Sequence, residues 1–488
     1  MIEFFIDGQA VAAETGQTVI QAAHAARILL PSFCWHPELS VPGNCRICMV
    51  EVEDERGGDP WFDISCNMPV TKGMRVLTNS AKVRELRKDT MQFITLNHPV
   101  DCGICNKSGE CLLQDHHYAY NGQASLSRDA KTHATKFYPL SRRIMLDNER
   151  CIMCSRCVRF TDEISKSHAL GVKNRGDHAL IRPSEDVNFD DDPYSDNVID
   201  ICPVGALLAR DLLDHSRVWY LKATPSICPG CERGCSINIW HRKDGWKLHA
   251  LEPRLNTSID RVTPLDNPAV NGPWTCNKAR DLALIFERPR AIVPMINGAE
   301  VALVDAVHAA ADLIACAAHP VALVSSWGSN EELAAFHATL APSFRNYVKT
   351  DWLPMPGERI EDDILIKADK NPNRFAARAL FDVMPANLST AFPADTDLVL
   401  VWGEGTDFDI LPKTAKIIVL NSYAQPINDS AHVFIPISIQ TERNGHYTNF
   451  EGTVTPFAQC FPKFRNVADA DALFPSLQAL ATATVSVR

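Results

Sequence analysis

The chain has 488 residues, too many for one ordinary core, so several domains are expected. Its 46% hydrophobic and 22% charged residues fit a globular chain, and a formal net charge of -11 argues against the clustered basic face of a nucleic-acid binder. The opening MIEFFIDGQAV is acidic where an export signal is basic, and the most apolar region, 291–326, is interrupted by Glu300, Asp305, Asp312 and two histidines. Neither a signal peptide nor a membrane span is expected, so membrane contact would come only through partner subunits.

In chain order, Ile2 to Ile6 predicts a strand, Asp7-Gly8 a hairpin turn, and Gln9 to Val11 the start of its partner. A helix follows from about Val19 to Ile28, then a loop with Cys34 and Cys45, then a strand from Cys48 to Val52. Cys66 lies further on. Strand, hairpin, helix and ligand loop is the order of a plant-type [2Fe-2S] ferredoxin. The spacing differs, with ten residues in the first cysteine gap where those proteins have four. Gly43 allows backbone N–H groups to approach the sulfurs.

Seventeen cysteines without an export signal point to metal or iron–sulfur ligation rather than disulfides. Fifteen lie before residue 277, in four groups. Cys316 and Cys460 stand apart and are expected to be small buried residues. The second group is NHPVDCGICNKSGEC, with Cys102, Cys105 and Cys111. Val83, Leu86, Phe93 and Ile94 predict one helical face before it. Pro99 ends that helix and leaves His98 at its terminus.

The third group is Cys151, Cys154 and Cys157 in CIMCSRCVRF, with Cys202 in ICPVGAL. C-x2-C-x2-C opens the bacterial ferredoxin run. The fourth position of that run is Thr161, and the partners that a second run would need before Cys202-Pro203 are Val198, Ser195 and Asp192. This resembles a two-cluster ferredoxin with one cluster kept, which assigns Cys202 to the other three. The fourth group is Cys228, Cys231 and Cys235 in CPGCERGC, with Cys276. It suits a [4Fe-4S] cluster or zinc.

Four sites of four ligands exceed the fifteen clustered cysteines by one, and the shortfall is in the second group. His98 is the first candidate, since imidazole replaces thiolate at some clusters. Asp101, Cys316 and Cys460 are the alternatives. Arg46, Arg156 and Arg159 lie within or beside ligand loops, either offsetting cluster charge or as solvated surface.

Beyond residue 290 the pattern reads as α/β. PVALVSSW, DLVLVW and KIIVLN are buried strands, and Ser329 or Asn330 caps a helix with Glu331 and Glu332 in its first turn. The alternation predicts a parallel sheet. Gly403-Glu404-Gly405 alone is too weak a signal for a nucleotide site.

PSFCWHPELSVPGNCRICMVEVE, NHPVDCGICNKSGECLLQD, RCIMCSRCVRF and DICPVGAL together resemble the large iron–sulfur subunit of NADH:quinone oxidoreductase, the G or 75 kDa type of respiratory complex I. The resemblance is strong to about residue 280. It implies one [2Fe-2S] cluster on Cys34, Cys45, Cys48 and Cys66. It also implies three [4Fe-4S] clusters: one on His98, Cys102, Cys105 and Cys111, one on Cys151, Cys154, Cys157 and Cys202, and one on Cys228, Cys231, Cys235 and Cys276.

The fourth group and ERNGHYTNFEGTVT are similar to molybdopterin oxidoreductases. Asn449, Glu451 and Gly452 match that family's N-x-E-G stretch, but Thr453 and Thr455 replace its Arg and Gln, so no molybdopterin is expected.

The implied fold class is multidomain α+β and α/β. A β-grasp [2Fe-2S] ferredoxin domain occupies 1–78 and a small helical His/Cys cluster domain 79–118. A bacterial-ferredoxin-like domain occupies 119–216 and a molybdopterin-oxidoreductase-type [4Fe-4S] domain 217–285. A shortened α/β scaffold occupies 286–488.

The implied role is electron transfer with no substrate site of its own. Electrons would pass from an NADH/FMN flavoprotein and its small [2Fe-2S] partner, through the Cys34 and Cys151 clusters, and leave by the His98 cluster toward quinone-side [4Fe-4S] subunits. The Cys228 cluster lies off this line. The implied location is peripheral, on the cytoplasmic side of the inner membrane. The rival readings are the electron-transfer subunit of a soluble NAD-linked hydrogenase or formate dehydrogenase, and a zinc-stabilised interaction protein.

Overall fold

A computed structural model describes residues 1–53, 58–213, 215–244, 258–386 and 392–487. The chain is mixed α and β and divides into two compact units, Met1–Trp219 and Tyr220–Arg488.

The first unit opens on a five-stranded mixed sheet: β1 (Ile2–Ile6), β2 (Gln9–Ala13), β3 (Met49–Glu53), β4 (Trp61–Ile64) and β5 (Arg75–Leu77), in the order β2-β1-β5-β3-β4. The β1–β2 hairpin closes through Asp7 and Gly8, both at positive φ, as a two-residue turn with the right twist requires. Phe4, Ile6, Val50, Val52 and Val76 point to one buried face, against which α1 (Val19–Ala25) lays Val19, Ala22 and Ala23. The helix expected to reach Ile28 stops at Ala25, because Arg27 adopts a left-handed conformation at φ 59°.

The next helix, α2 (Ala81–Thr95), is capped by Ser80, whose hydroxyl accepts from the Val83 N–H at 3.2 Å. Its buried face is Val83, Arg87 and Met91 rather than the expected Val83, Leu86, Phe93 and Ile94; Phe93 is 78% exposed. Four-residue spacing explains the shift. Arg87 spends its aliphatic stem in the interface and donates to the Met49 carbonyl at 2.9 Å, so a charged residue occupies a core position. Two short helices follow at ligand loops, α3 (Leu112–His116) and α4 (Arg156–Glu163).

The second unit holds a three-stranded antiparallel sheet, Leu221–Ile227, Ser236–Arg242 and Arg261–Pro264. It also holds an eight-stranded sheet. Six strands of that sheet run parallel in the spatial order 382–383, 345–348, 320–324, 398–402, 416–421, 433–436. The expected strands PVALV, LVLVW and KIIVLN are its centre, and both faces are covered, by the Phe336, Trp402 and Phe474 cluster on one side and the Val321, Val399 and Val419 cluster on the other.

Chain order reverses between 320–324 and 398–402, the place where doubly wound sheets form a crevice. A cavity of about 60 Å³ lies there, among Ser325, Trp327, Trp402 and Gly403. Gly403 sits at φ +87°, and a Cβ on it would stand 2.6 Å from that of Ser325, so this glycine is needed for packing. Cys316, expected to be buried, is exposed at the end of its helix, and Cys460 is half-buried.

Ser329 caps the helix Asn330–Thr339 in a reciprocal box. Its hydroxyl accepts from the Glu332 N–H at 3.2 Å, and the Glu332 carboxylate accepts from the Ser329 N–H at 2.7 Å. Ser329→Ala removes half of that box and is expected to lower the unfolding free energy by about 1 kcal/mol, read by urea denaturation.

Candidate iron-sulfur ligand sites

Four loops carry the candidate sulfur ligands, and all of these except exposed Cys102 are buried or half-buried. In the first, Cys34, Cys48 and Cys66 are buried and Cys45 is half-buried. The Cys34 thiol hydrogen-bonds Cys45 and receives the N–H groups of Cys45 and Asn44, which pull it down to about 6 against the opposing effect of burial. Gly43, at φ +66°, turns the chain so that those N–H groups face inward. Cys48 pairs with Cys66 in the same way and is drawn down to about 7, while Cys45 and Cys66 are pushed up as the protonated partners. All four thiols thus lie within electrostatic reach of one another.

In the third group, Cys151, Cys154, Cys157 and Cys202 line one cavity of about 20 Å³. Left-handed Met153 and Ser155, at φ 52° and 58°, coil the loop around it before α4 begins. Burial, then the neighbouring thiolates, push Cys151 up to about 12; burial and the charge of Cys202 push Cys154 up to about 11. Neutral thiols therefore fill this space at pH 7 unless positive charge enters it. A cationic cluster core supplies that charge, so the donor set fits one.

The second group abuts the third. A Cβ on Gly205 would collide with the Cys105 sulfur, and the Leu112 N–H donates to the Pro203 carbonyl at 3.0 Å. Burial raises Cys111, with the charges of Cys105 and Cys202 adding to it. Cys102 is exposed, in the turn after Asp101.

His98 lies three residues past the end of α2. Its backbone N–H bonds the Thr95 carbonyl at 3.2 Å, but its Nδ1 is buried without a hydrogen-bond partner. Burial, then the charges of Arg150 and Lys131, push the imidazole down to about 4, so it is neutral at pH 7 with a free nitrogen. The alternative Asp101 is already engaged by Lys136 at 2.5 Å and Arg150 at 3.1 Å. Cys316 and Cys460 fall in the second compact unit.

The fourth group sits in the second unit, with Cys228, Cys231 and Cys235 in the loop that joins the paired strands Leu221–Ile227 and Ser236–Arg242. The Cys228 N–H closes on the Cys235 carbonyl at 2.8 Å, and the Gly230 N–H donates to the Cys228 sulfur at 3.4 Å. Burial raises Cys228 and Cys235, and both also feel the charges of Cys231 and Cys276. Lys278, paired with Glu358 at 2.7 Å, opposes that rise. The Phe450 N–H donates to the Glu232 carbonyl at 3.1 Å, so the TNFEG stretch braces this ligand loop. Among the described residues, no three His, Cys, Asp or Glu side chains close tightly enough to grip a single ion.

The family models that match the chain are described as a 2Fe-2S iron-sulfur cluster binding domain over 1–81, an NADH-ubiquinone oxidoreductase-G iron-sulfur binding region over 87–125, an NADH-quinone oxidoreductase subunit 3 ferredoxin-like domain over 141–208, and a molybdopterin oxidoreductase Fe4S4 domain over 221–286. Residues 1–286 are thus similar to iron-sulfur domains of NADH-quinone oxidoreductase subunits and, at their end, of molybdopterin oxidoreductases. The G subunit of Rickettsia typhi NADH-quinone oxidoreductase is 36% identical over 282 residues, covering 57% of this chain and 39% of the relative. NADH dehydrogenase [ubiquinone] iron-sulfur protein 1 of Solanum tuberosum is 37% identical over 302 residues, covering 62% and 38%. The 78 kDa subunit of Neurospora crassa NADH-ubiquinone oxidoreductase is 36% identical over 297 residues, covering 61% and 38%. The chain thus spans about two fifths of the length of these curated relatives. A solved NAD+-reducing [NiFe]-hydrogenase chain is 29% identical and covers 44% of this chain and 91% of that one; its TM-score of 0.40 is too low to carry an argument.

Arg156 and Arg159, open to a surface reading in the sequence, are both buried against ligand loops, whereas Arg46 is exposed. Gly205 was missed altogether. It follows Cys202 by three residues, and nothing in the local pattern signals the remote Cys105 sulfur against it.

Gly205→Ala is expected to strip the Cys105 site of its iron, about four per chain, while the Cys34 site keeps its absorbance; iron and sulfide assay with visible spectroscopy decides it. A second expectation concerns pH. Burial, then the charges of Arg156 and Arg159, lower His36 from 6.5 to about 4. The unfolded chain therefore binds that proton at higher pH than the folded one, and stability falls as pH drops from about 6.5 toward 4. His36→Gln should flatten the slope in urea titrations across that window.

Proposed function

We propose that this chain is the iron–sulfur electron-transfer subunit of an NADH:quinone oxidoreductase, working inside a larger complex with no substrate pocket of its own. The observation that carries the reading is the order of the sites in the first unit. Arg159 spans the Cys34 and Cys154 loops through their carbonyls, and the Cys202–Gly205 loop is a common wall of the Cys151 and Cys105 sites. Three neighbouring sites in a row suit a relay from an NADH/FMN flavoprotein and its small [2Fe-2S] partner toward quinone-side [4Fe-4S] subunits.

The ligand sets are those the resemblance implies: Cys34, Cys45, Cys48 and Cys66 for one [2Fe-2S] cluster; His98, Cys102, Cys105 and Cys111, then Cys151, Cys154, Cys157 and Cys202, then Cys228, Cys231, Cys235 and Cys276 for three [4Fe-4S] clusters. When bound, these groups supply one-electron transfer with little movement of the protein. The chain's own part is to hold thiolates in dry loops, to aim backbone N–H groups at their sulfurs, and to keep water away. Those hydrogen bonds and that burial set the potential of whatever the loops hold. A neutral His98 in place of a thiolate removes one negative charge and raises the potential of its site, as imidazole ligation does in Rieske centres. The five-domain layout with boundaries near 78, 118, 216 and 285 belongs to the same reading.

Among the described residues no helix is long and apolar enough to cross a membrane. Attachment through partner subunits, on the cytoplasmic side of the inner membrane, fits that. No observation in the structure favours the hydrogenase, formate dehydrogenase or zinc alternatives.

Anaerobically purified protein is expected to contain about 14 irons per chain with matching acid-labile sulfide, from one two-iron and three four-iron sites. Stoichiometric zinc with no paramagnetic signal after dithionite would refute the relay.

A further inference from the structure

The ten residues between Cys34 and Cys45 depart from plant-type spacing, and the structure gives them partners. They reach toward one segment, 153–163. The Asn44 amide donates to the Met153 carbonyl at 3.0 Å. The Ser40 N–H and hydroxyl both donate to the Glu163 carboxylate, at 2.8 and 2.5 Å. Arg156 donates to the Trp35 carbonyl at 2.5 Å with one nitrogen and to the Ile201 carbonyl, beside Cys202, at 3.1 Å with the other. Arg159 donates through Nη1 to the Ser40 carbonyl. Its Nη2 donates to the carbonyls of two ligand residues at once, Cys34 at 2.5 Å and Cys154 at 3.3 Å.

We propose that the Cys34–Cys45 loop is an intrachain clamp, and that Arg159 is the positioning residue that fixes the Cys34 and Cys151 sites at one distance and orientation. The inference rests on the relay reading and adds to it a reason for the long gap. A four-residue gap has no chain to spare for Ser40 or Asn44. Tunnelling falls exponentially with separation, so two sites on separate folding elements need a rigid tie. A guanidinium suits that task because it is planar, permanently charged and donates in several fixed directions; a lysine ammonium has no such fork. Burial disfavours the charged guanidinium, and negative charge on Cys154 and Cys34 opposes that penalty in part.

The test uses the full-length protein with clusters in place, as wild type, Arg159→Lys, Arg159→Met and Glu163→Ala. The readouts are iron content, magnetic coupling between the two reduced sites by EPR, midpoint potentials, and amide exchange of residues 35–44. Arg159→Lys should keep its iron and both potentials but lose the coupling, with exchange in the loop at least about tenfold faster, the effect of one lost charge-assisted bond. Arg159→Met should add a shift of both potentials to more negative values. Glu163→Ala, remote from any ligand, should accelerate loop exchange and weaken the coupling without moving the potentials. Unchanged coupling and exchange in Arg159→Lys overturn the proposal. If the arginine variants lose their iron, unchanged exchange in Glu163→Ala overturns it instead. Absence of any cluster signal in the wild type would sink the relay reading alone, because the exchange comparison still reads the clamp.

Discussion

A thiol buried in an apolar loop resists giving up its proton, and the first unit is organised around that resistance. Cys151 and Cys154 stand well above their ordinary range because burial and neighbouring sulfur charge act together. A loop that gathers four such groups is unstable as a set of thiolates unless positive charge fills its centre and donors surround its rim. The protein meets this with backbone geometry first. Left-handed residues at Met153 and Ser155, and at Gly43, turn N–H groups toward sulfur. It then adds buried guanidiniums at Arg156 and Arg159, placed between two ligand sets rather than beside one.

The second unit uses the same principle with a different frame. Its ligand loop hangs from a β-hairpin, is held at the neck by the Cys228–Cys235 backbone bond, and is braced by Phe450. The large parallel sheet nearby carries buried charge of its own, Lys349 paired with Asp351, which in turn accepts from Ser325 at 2.5 Å. Glycines at 403 and 405 allow these strand ends to approach. The Gly-Glu-Gly stretch is thus accounted for by packing, without reference to a nucleotide.

Much of this was legible from residue spacing. Ligand groups, the β1–β2 hairpin, the Ser329 cap and the three central strands of the parallel sheet are local patterns, in which neighbouring residues carry the whole signal. The face of α2 was not legible. An arginine at position 87 reads as solvated, and only the Met49 carbonyl opposite it explains its burial. The fate of Cys316 was equally hidden, since a lone cysteine reads as buried until the end of its helix is seen to face solvent.

By itself the sequence determined which residues are the candidate ligands: cysteines and one histidine at spacings that covalent geometry and loop length restrict. It also determined that the first cysteine gap is too long for a plant-type loop. Only the tertiary structure decided which loops are neighbours, because contacts such as Gly205 against Cys105, or Arg159 between Cys34 and Cys154, join residues about a hundred positions apart. Such pairings depend on how whole elements pack, and packing is a property of surfaces that no single stretch of chain contains.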